Sequence, residues 1–262
     1  MCGIAGIYSH KPAAPELYES IVHLQHRGTD AAGIMTYDKR MHKEKGLGLA
    51  RDIFTKDNLS LLTGNIGISH NRYPTHGGFS HGEVQPVWTS VPYGIAIAHN
   101  GQIINYDELV EEVTIKEKRY LNTTSDTEVL LHILAKELNK DGTPETSEEF
   151  FDLLCNAVGT IFNKVRGAYS VTALIIGKGL VVFRDPRGIR PLVRGERDNG
   201  NDGTDYIFAS ENTMFYSMGY ESKGNVLPGE LIYVDNDGKL FSKRLVKEEF
   251  NPCIFEYVYF AR

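Results

Sequence analysis

The chain has 262 residues, of which 41% are hydrophobic and 24% charged, an ordinary composition for a globular protein of one large or two small domains. Its formal net charge of −6 argues against a basic surface that binds nucleic acid or an anionic membrane. No apolar run approaches the roughly 20 residues that span a bilayer, and three widely separated cysteines form no disulfide framework, so we expect a soluble, cytoplasmic protein.

Short apolar and β-branched segments between Gly, Pro and Asn breaks predict the strands. In chain order, the predicted strands are residues 3–8, 32–37, 65–70, 93–99, 168–176, 180–184, 206–210 and 230–234. The polar stretch 195–205 is predicted to be a long hairpin turn, and Asn236-Asp237-Gly238 is the clearest short one.

Three amphipathic helices are predicted among these strands. Residues 15–25 place Leu17, Ile21 and Leu24 on one apolar face. The second helix starts at Ser125, and Glu128 three residues later predicts a capping box. The third covers residues 147–162. Blocks of strands and helices with hairpin-length breaks indicate antiparallel sheets covered by helices, an α+β fold.

Cys2 is the most informative residue because of its place in the chain. A small second residue favours removal of the initiator Met1, which would leave a thiol and a free α-amine on one residue. An α-amine with a pKa of about 7.7–8.0 can accept the thiol proton near neutral pH and return it to a leaving group. The alternative is an arbitrary residue in a frayed terminus, but the following segment has the pattern of a buried strand.

Three polar clusters interrupt apolar surroundings. The Asn100 amide beside the N–H of Gly101 could hold an oxyanion, although an Asn-Gly pair alone is more often a turn. Arg72 could clamp a carboxylate, or be a surface arginine in a loop. Asp126 could bind an ammonium group, or be the acidic residue that helix starts prefer. Together with a thiol, these groups suit an amino-acid amide such as glutamine.

A metal site is the less favoured interpretation of the histidines near strand ends. His70, His76, His81 and His99 have spacings that fit no zinc motif, and no Cys or carboxylate lies at motif spacing. The sequence therefore predicts neither a metal nor a cofactor in this chain.

Several segments together resemble class II glutamine amidotransferases, which use an N-terminal nucleophile, and within them the glutaminase half of the amidophosphoribosyltransferase family. They run in the family's order from residue 2 to residue 262. These segments are MCGIAGI, LQHRGTDAAGI (24–34), RYPTHG (72–77), HNGQ (99–102), NTTSDTE (122–128), RDPRGIRPL (184–192), LPGE (227–230) and NPCIFEYVYFAR (251–262).

The resemblance implies a four-layer αββα sandwich of two antiparallel sheets, the Ntn-hydrolase fold, and it implies a role for each of several residues. Cys2 would be the nucleophile with its own α-amine as base, and Asn100 and Gly101 would form the oxyanion hole. The glutamine-binding residues would be Arg72 for the α-carboxylate, Asp126 for the α-ammonium, and Arg27, Gly28, Thr75 and His76 around the pocket. Thr29, His76 and Gln102 replace residues that are usual in the family.

The same resemblance suggests how the chain is organised. Residues 2–250 would be the glutaminase domain, and residues 251–262 would start the connection to a phosphoribosyltransferase domain that uses phosphoribosyl pyrophosphate (PRPP) and Mg²⁺. We therefore expect a fragment of a homo-oligomeric enzyme of purine synthesis, with Cys253 a buried structural residue rather than an iron–sulfur ligand. The alternative is a free-standing or degenerate glutaminase-fold domain that acts on another amide or serves as a regulatory module.

Overall fold

The computed structural model of the protein describes residues 1–73, 81–140 and 142–260. The strands are β1 (Gly3–Tyr8), β2 (Ala31–Tyr37), β3 (Met41–Leu47), β4 (Ile66–Arg72), β5 (Val87–Thr89), β6 (Ile95–Ile103), β7 (Gly167–Ile175), β8 (Gly179–Arg184), β9 (Val193–Asp198), β10 (Thr204–Ala209), β11 (Glu221–Asn225), β12 (Glu230–Asp235) and β13 (Leu240–Arg244). The α-helices are α1 (Ala13–His23), α2 (Ala50–Ile53), α3 (Lys56–Ser60), α4 (Tyr106–Glu111), α5 (Asp126–Glu137) and α6 (Ser147–Lys164).

The strands form two antiparallel sheets that stack face to face. One sheet has the order β11-β9-β10-β1-β4-β2-β3, and the other has the order β13-β12-β8-β7-β6-β5. Strands β1 and β4 of the first sheet pack on β6 and β7 of the second. An apolar layer between the sheets includes Ile4, Ile68, Ala98, Leu180 and Ile232, all almost fully buried.

Helices cover the outer face of each sheet. Leu17 and Ile21 of α1 pack on the seven-stranded sheet, while α5 and α6 cover the six-stranded sheet with residues such as Leu134 and Phe150. Each sheet therefore buries both faces, one on helices and one on the other sheet. The predicted α+β class and the four-layer αββα sandwich are confirmed.

The strands that the sequence analysis missed are mostly sheet edges. All eight predicted strands are present, but β3, β5, β11 and β13 were not predicted, and these are the outermost strands of the two sheets. An edge strand has unpaired backbone and a solvated side, so charged and polar residues replace the apolar alternation. The fifth missed strand, β9, lies partly inside the predicted turn 195–205, which is a hairpin between β9 and β10.

Two strands extend further than predicted, and this changes the setting of the candidate site. Strand β4 runs on through Arg72, and β6 runs on through His99, Asn100 and Gly101 to Ile103. Asn100 pairs with Ser170 of β7, so it belongs to the ladder and not to a turn. The predicted strand ends at residues 70 and 99 are therefore wrong, because pairing with neighbouring strands continues through the polar residues.

The capping box predicted at the start of α5 is also wrong. The Ser125 hydroxyl accepts a hydrogen bond from the Thr127 N–H at 3.3 Å, two residues on. The Glu128 carboxylate instead accepts from the backbone N–H groups of Asn122 and Thr123, at 2.9 and 2.7 Å. The loop before α5 folds over the start of the helix. Its N–H groups therefore donate to the Glu128 carboxylate, which a capping box would have placed against the Ser125 N–H. Within residues 1–73, 81–140 and 142–260, no helix is long and apolar enough to cross a membrane.

Candidate active site

Cys2 lies directly before β1, which runs through the middle of the seven-stranded sheet between β10 and β4. Its side chain is buried, and the thiol donates a weak hydrogen bond to the Tyr73 carbonyl at 3.7 Å. Burial raises the pKa of the Cys2 thiol, since a thiolate loses its hydration there. The thiol is therefore protonated at neutral pH and needs a base when it attacks a substrate.

An amine next to this thiol is neutral near pH 7. Burial lowers the pKa of the Met1 α-amine to about 6, and the positive charges of Arg27 and Arg190 act in the same direction. The Met1 side chain contacts the Arg190 guanidinium. Removal of Met1 would transfer the free amine to Cys2, where a neutral amine can take the thiol proton.

The chain around Gly28 lies directly against the end of β4. A Cβ on Gly28 would sit 2.5 Å from the carbonyl carbon and 2.6 Å from the oxygen of Arg72, so only glycine fits. The Asp30 N–H donates to the same Arg72 carbonyl at 3.2 Å. Arg72 is buried, and its neighbour Asn71 pairs with Gly3 next to the nucleophile. This close approach keeps Arg72 beside Cys2.

Replacing Gly28 with alanine is expected to lower the free energy of unfolding by about 1–3 kcal/mol, because the methyl group must displace the Arg72 backbone. Urea unfolding measures the change. Gly159→Ala is the control, since nothing lies within 4 Å of that Cβ on α6 and alanine should stabilise the helix by about 0.5–1 kcal/mol. Equal effects of the two substitutions would contradict this account.

The Asn100 amide and Gly101 lie on β6, across the sandwich from β1 and β4. Asn100 is 1% exposed, and neither atom of its amide hydrogen-bonds with another residue in the described parts of the chain. A Cβ on Gly101 would lie 1.9 Å from the Ala168 carbonyl oxygen, so a side chain cannot be accommodated there. An amide donor without a protein partner is available to a ligand, as an oxyanion hole requires.

Asp126 is the first residue of α5, and its carboxylate contacts residues of β6. Its Oδ2 accepts from the Ile103 N–H at 3.1 Å, and its Oδ1 lies 3.5 Å from His99 Nδ1. Burial is the main reason that the pKa of the Cys2 thiol is raised, and the negative charge of Asp126 raises it further. The charge of Asp126 therefore acts on the Cys2 thiol, and its predicted role in binding a substrate ammonium group remains a prediction.

If Asp126 binds the ammonium group of glutamine, as the resemblance implies, replacing it with asparagine should raise KM for glutamine about ten- to hundredfold, because a charge-assisted hydrogen bond is lost. The same change should lower the pKa of the Cys2 thiol, since a neighbouring negative charge is removed. The pH dependence of Cys2 alkylation by iodoacetamide measures that shift. Asp107→Asn, an exposed neighbour on α4, is the control and should change neither quantity. An alkylation midpoint that stays in place or moves to higher pH would contradict the assignment.

Arg27 is held by more partners than the sequence indicated. It is 1% exposed, and its Nε donates to the Cys2 carbonyl at 3.0 Å. Its two terminal nitrogens donate to Glu211 at 2.6 Å and to Glu256 at 2.8 Å. These contacts fix the backbone of the nucleophile, while the predicted role of Arg27 at the glutamine pocket remains a prediction.

Sequence reasoning missed both carboxylates that bind Arg27. Glu256 is 5% exposed and lies also 3.5 Å from Arg190. The one available signal was an acid inside the aromatic run FEYVYF, since a buried charge in such a run implies a partner. Glu211 follows β10 in a polar loop and carried no such signal.

The remaining candidate residues are placed as follows. Thr75 and His76 lie outside the described residues. Thr29 is exposed, as is Gln102. Cys253 is half-buried, so the expectation of a buried cysteine is wrong. Its segment is held mainly by backbone hydrogen bonds, such as the one that the Cys253 N–H donates to the Ile189 carbonyl at 3.1 Å. The described ranges contain no group of three or more potential metal ligands.

Known proteins resemble this chain in both sequence and fold. Residues 70–217 match the family described as glutamine amidotransferase domain. Over its full length, the chain is 44% identical to the amidophosphoribosyltransferase of Escherichia coli and 41% identical to that of Schizosaccharomyces pombe, and it covers 52% of each. The chain thus spans about half the length of the curated relatives that it matches.

Among solved structures, the glutamine PRPP amidotransferase from B. subtilis, complexed with ADP and GMP, has a TM-score of 0.83 at 30% identity. The match covers 100% of this chain and 53% of that one. A predicted glutamine amidotransferase from Pseudomonas aeruginosa, at 13% identity and a TM-score of 0.57, shares the fold. The predicted Ntn-hydrolase sandwich is confirmed by the first likeness together with the two antiparallel sheets.

Proposed function

The chain belongs to the glutamine amidotransferase domain family, and from this premise we propose that it hydrolyses glutamine to glutamate and ammonia with Cys2 as the nucleophile. The observation that carries the proposal is the Cys2 thiol itself. It is buried at the start of a central strand, next to the Tyr73 carbonyl and near the charges of Asp126 and Arg27. A buried thiol among groups that suit an amino acid is what a glutaminase needs.

In this proposal, glutamine binds through its two charged ends. Arg72 binds the α-carboxylate through a two-pronged contact, and Asp126 binds the α-ammonium. The side-chain amide then lies against the Cys2 thiol. Fixing both ends brings the reacting carbon to the sulfur, and this positioning supplies part of the rate enhancement.

The reaction proceeds through a thioester at Cys2. The free α-amine of Cys2 takes the thiol proton as sulfur bonds to the amide carbon, and the carbonyl oxygen becomes an oxyanion held by Asn100 and the Gly101 N–H. The ammonium so formed returns the proton to the nitrogen, the C–N bond breaks, and ammonia leaves. Water then adds to the γ-glutamyl thioester with the amine as base, and glutamate is released with the thiol restored.

We also propose that this chain is the glutaminase part of a larger amidophosphoribosyltransferase. Support comes from relatives of that name, which are about twice as long as this chain. Ammonia would pass to a phosphoribosyltransferase domain joined after residues 251–262, where it displaces pyrophosphate from PRPP to give phosphoribosylamine in purine synthesis. That domain would use Mg²⁺, and the whole enzyme would be a cytoplasmic homo-oligomer.

The intact mass of the protein before and after treatment with an electrophilic glutamine analogue tests the glutaminase proposal. Loss of Met1 and a single adduct mapped to Cys2 are the expected results. Retention of Met1 would leave the thiol without its base and favour a degenerate domain. An adduct on processed Cys2 that forms equally well with an unrelated alkyl electrophile would contradict a glutamine-shaped pocket.

A further inference from the structure

His70 is a buried imidazole that the proposed reaction does not use. It lies on β4 and is fully buried. Ile66 and Ile68 of the same strand face the layer between the sheets, so the alternation of a strand places His70 on that face too. Burial lowers the pKa of His70 to about 3, so at working pH the ring is neutral and carries one N–H donor and one acceptor nitrogen.

The ring of His70 interacts with the His99 backbone, but neither ring nitrogen forms a hydrogen bond of normal geometry with a residue that the structure describes, and one backbone partner leaves at least one nitrogen unpaired. An unpaired buried polar group costs roughly 1–3 kcal/mol, which an apolar side chain of similar size would avoid. A histidine that served only to fill the core would be a poor choice here. Its polar atoms therefore point to a partner within the layer between the sheets.

The six-stranded sheet, which faces β4, also carries two buried side chains whose polar atoms have no partner among the described residues. The Asn100 amide and the Thr172 hydroxyl are both buried and unpartnered within the described part of the chain. In the β6–β7 ladder, Asn100 is opposite Ser170 and Ala98 is opposite Thr172, so Asn100 and Thr172 are diagonal neighbours. They share a face that points toward β4.

Two contacts of neighbouring residues place His70 near this pair. The ring of His70 lies beside the backbone of His99, the residue directly before Asn100. The Thr172 methyl would be 3.2 Å from a Cβ on Gly6, which pairs with Ile68, two residues before His70 on β4. The three polar side chains thus belong to the same layer between the sheets. A buried water with two to four polar partners can satisfy such a group.

We propose that His70 is a positioning residue, whose ring, with Thr172 and ordered water, holds the Asn100 amide with its N–H toward the acyl group on Cys2. This inference rests on the proposed function. An amide that rotates by half a turn would present its oxygen to the oxyanion instead of its N–H. Because the oxyanion exists only in the transition state and the intermediate, the loss falls on kcat and not on KM.

The first arm of the test compares His70→Leu, His70→Gln and Ser69→Ala. Removing an oxyanion donor costs about 10²–10³-fold in kcat, so a loosened donor in His70→Leu should cost about ten- to hundredfold. KM for glutamine and the rate of Cys2 alkylation by iodoacetamide should stay within about twofold, since neither needs the oxyanion. His70→Gln restores a donor and an acceptor and should recover most of the loss. Ser69 is the matched control, because it is a neighbouring buried residue of β4 whose hydroxyl has no partner among the described residues. Strand alternation places it on the opposite face from His70, together with Gly67, which approaches Leu17 of α1.

Two results from this arm would overturn the inference. One is a kcat for His70→Leu that equals that of Ser69→Ala. The other is a parallel loss of Cys2 alkylation, or a rise in KM as large as the fall in kcat, which would mean that His70 only supports the fold.

The second arm does not depend on turnover. The side-chain amide of Asn100, assigned by its disappearance in Asn100→Asp, should give NMR signals that are protected from solvent exchange. His70→Leu should shift these signals or remove their protection, whereas Ser69→Ala should not. If the wild-type protein releases no glutamate and takes no adduct, the proposed function fails, and this arm still decides the inference: Asn100 signals unchanged by His70→Leu would overturn it.

Discussion

Replacement of Cys2 by alanine is expected to abolish glutamate release, with a loss of about 10⁴-fold or more in kcat, while the protein still folds. Alanine is also a small second residue, so Met1 removal should proceed and only the thiol is lost. The free energy of unfolding should change by about 1 kcal/mol or less, because the thiol makes one weak hydrogen bond in the described structure, to the Tyr73 carbonyl. Glutamate release and thermal unfolding, measured on one preparation, check both parts.

The control for this substitution is Cys155→Ala. Cys155 is half-buried on α6, on the helical layer that covers the six-stranded sheet. Its loss should leave the rate of glutamate release unchanged. Glutamate release by Cys2→Ala at a rate close to that of the unaltered protein would rule out the thioester mechanism, whereas unfolding of that variant would show that the thiol is needed for the fold.

Replacement of Arg27 by methionine is expected to lower the free energy of unfolding by about 3–5 kcal/mol. Arg27 donates to Glu211 and Glu256 while 1% exposed, so its removal leaves two carboxylates in a buried setting with weaker partners. Glu256 would keep only Arg190, at 3.5 Å, among the contacts described. The N-terminus should loosen as well, because the Cys2 carbonyl loses its donor. Urea unfolding and the rate of Cys2 alkylation measure the two effects.

The matched control is Arg166→Met. Arg166 pairs with Glu108 at 2.6 Å, the same distance as the Arg27–Glu211 pair, but its side chain is 61% exposed. Solvent screening limits an exposed pair to about 1 kcal/mol or less. If both substitutions cost the same, burial would not be the reason for the strength of the Arg27 contacts.

The central strands of each sheet are predictable from local pattern because both of their faces are buried. Strands such as β1 and β8 are continuous apolar runs between breaks, and burial on helices and on the other sheet requires that pattern. The edge strands β3 and β11 carry Lys and Glu because water reaches them, so their conformation depends on the neighbour with which they pair.

Among the candidate catalytic and binding groups, Cys2, Arg72, Asn100 and Asp126 could be named from residue type and spacing, with the family resemblance supplying their roles. The strand setting of Asn100 could not be predicted, since an Asn-Gly pair in isolation favours a turn. Only pairing with β7 keeps it extended. The roles of these residues remain predictions, and the substitutions of Cys2 and Asp126 described above test two of them.

The sequence by itself determined the fold class, the central strands, the main helices and the residue types of the proposed glutaminase site, because these depend on local hydrophobic pattern and on chemistry carried by single residues. Only the tertiary structure decided how buried charges and polar groups are paired. Arg27 meets Glu256 across 229 residues of chain, and the Cys2 thiol meets the carbonyl of Tyr73 from a neighbouring strand end, 71 residues away. A buried polar group needs some partner, but sequence separation does not constrain which one, so the folded arrangement of the layers makes that choice.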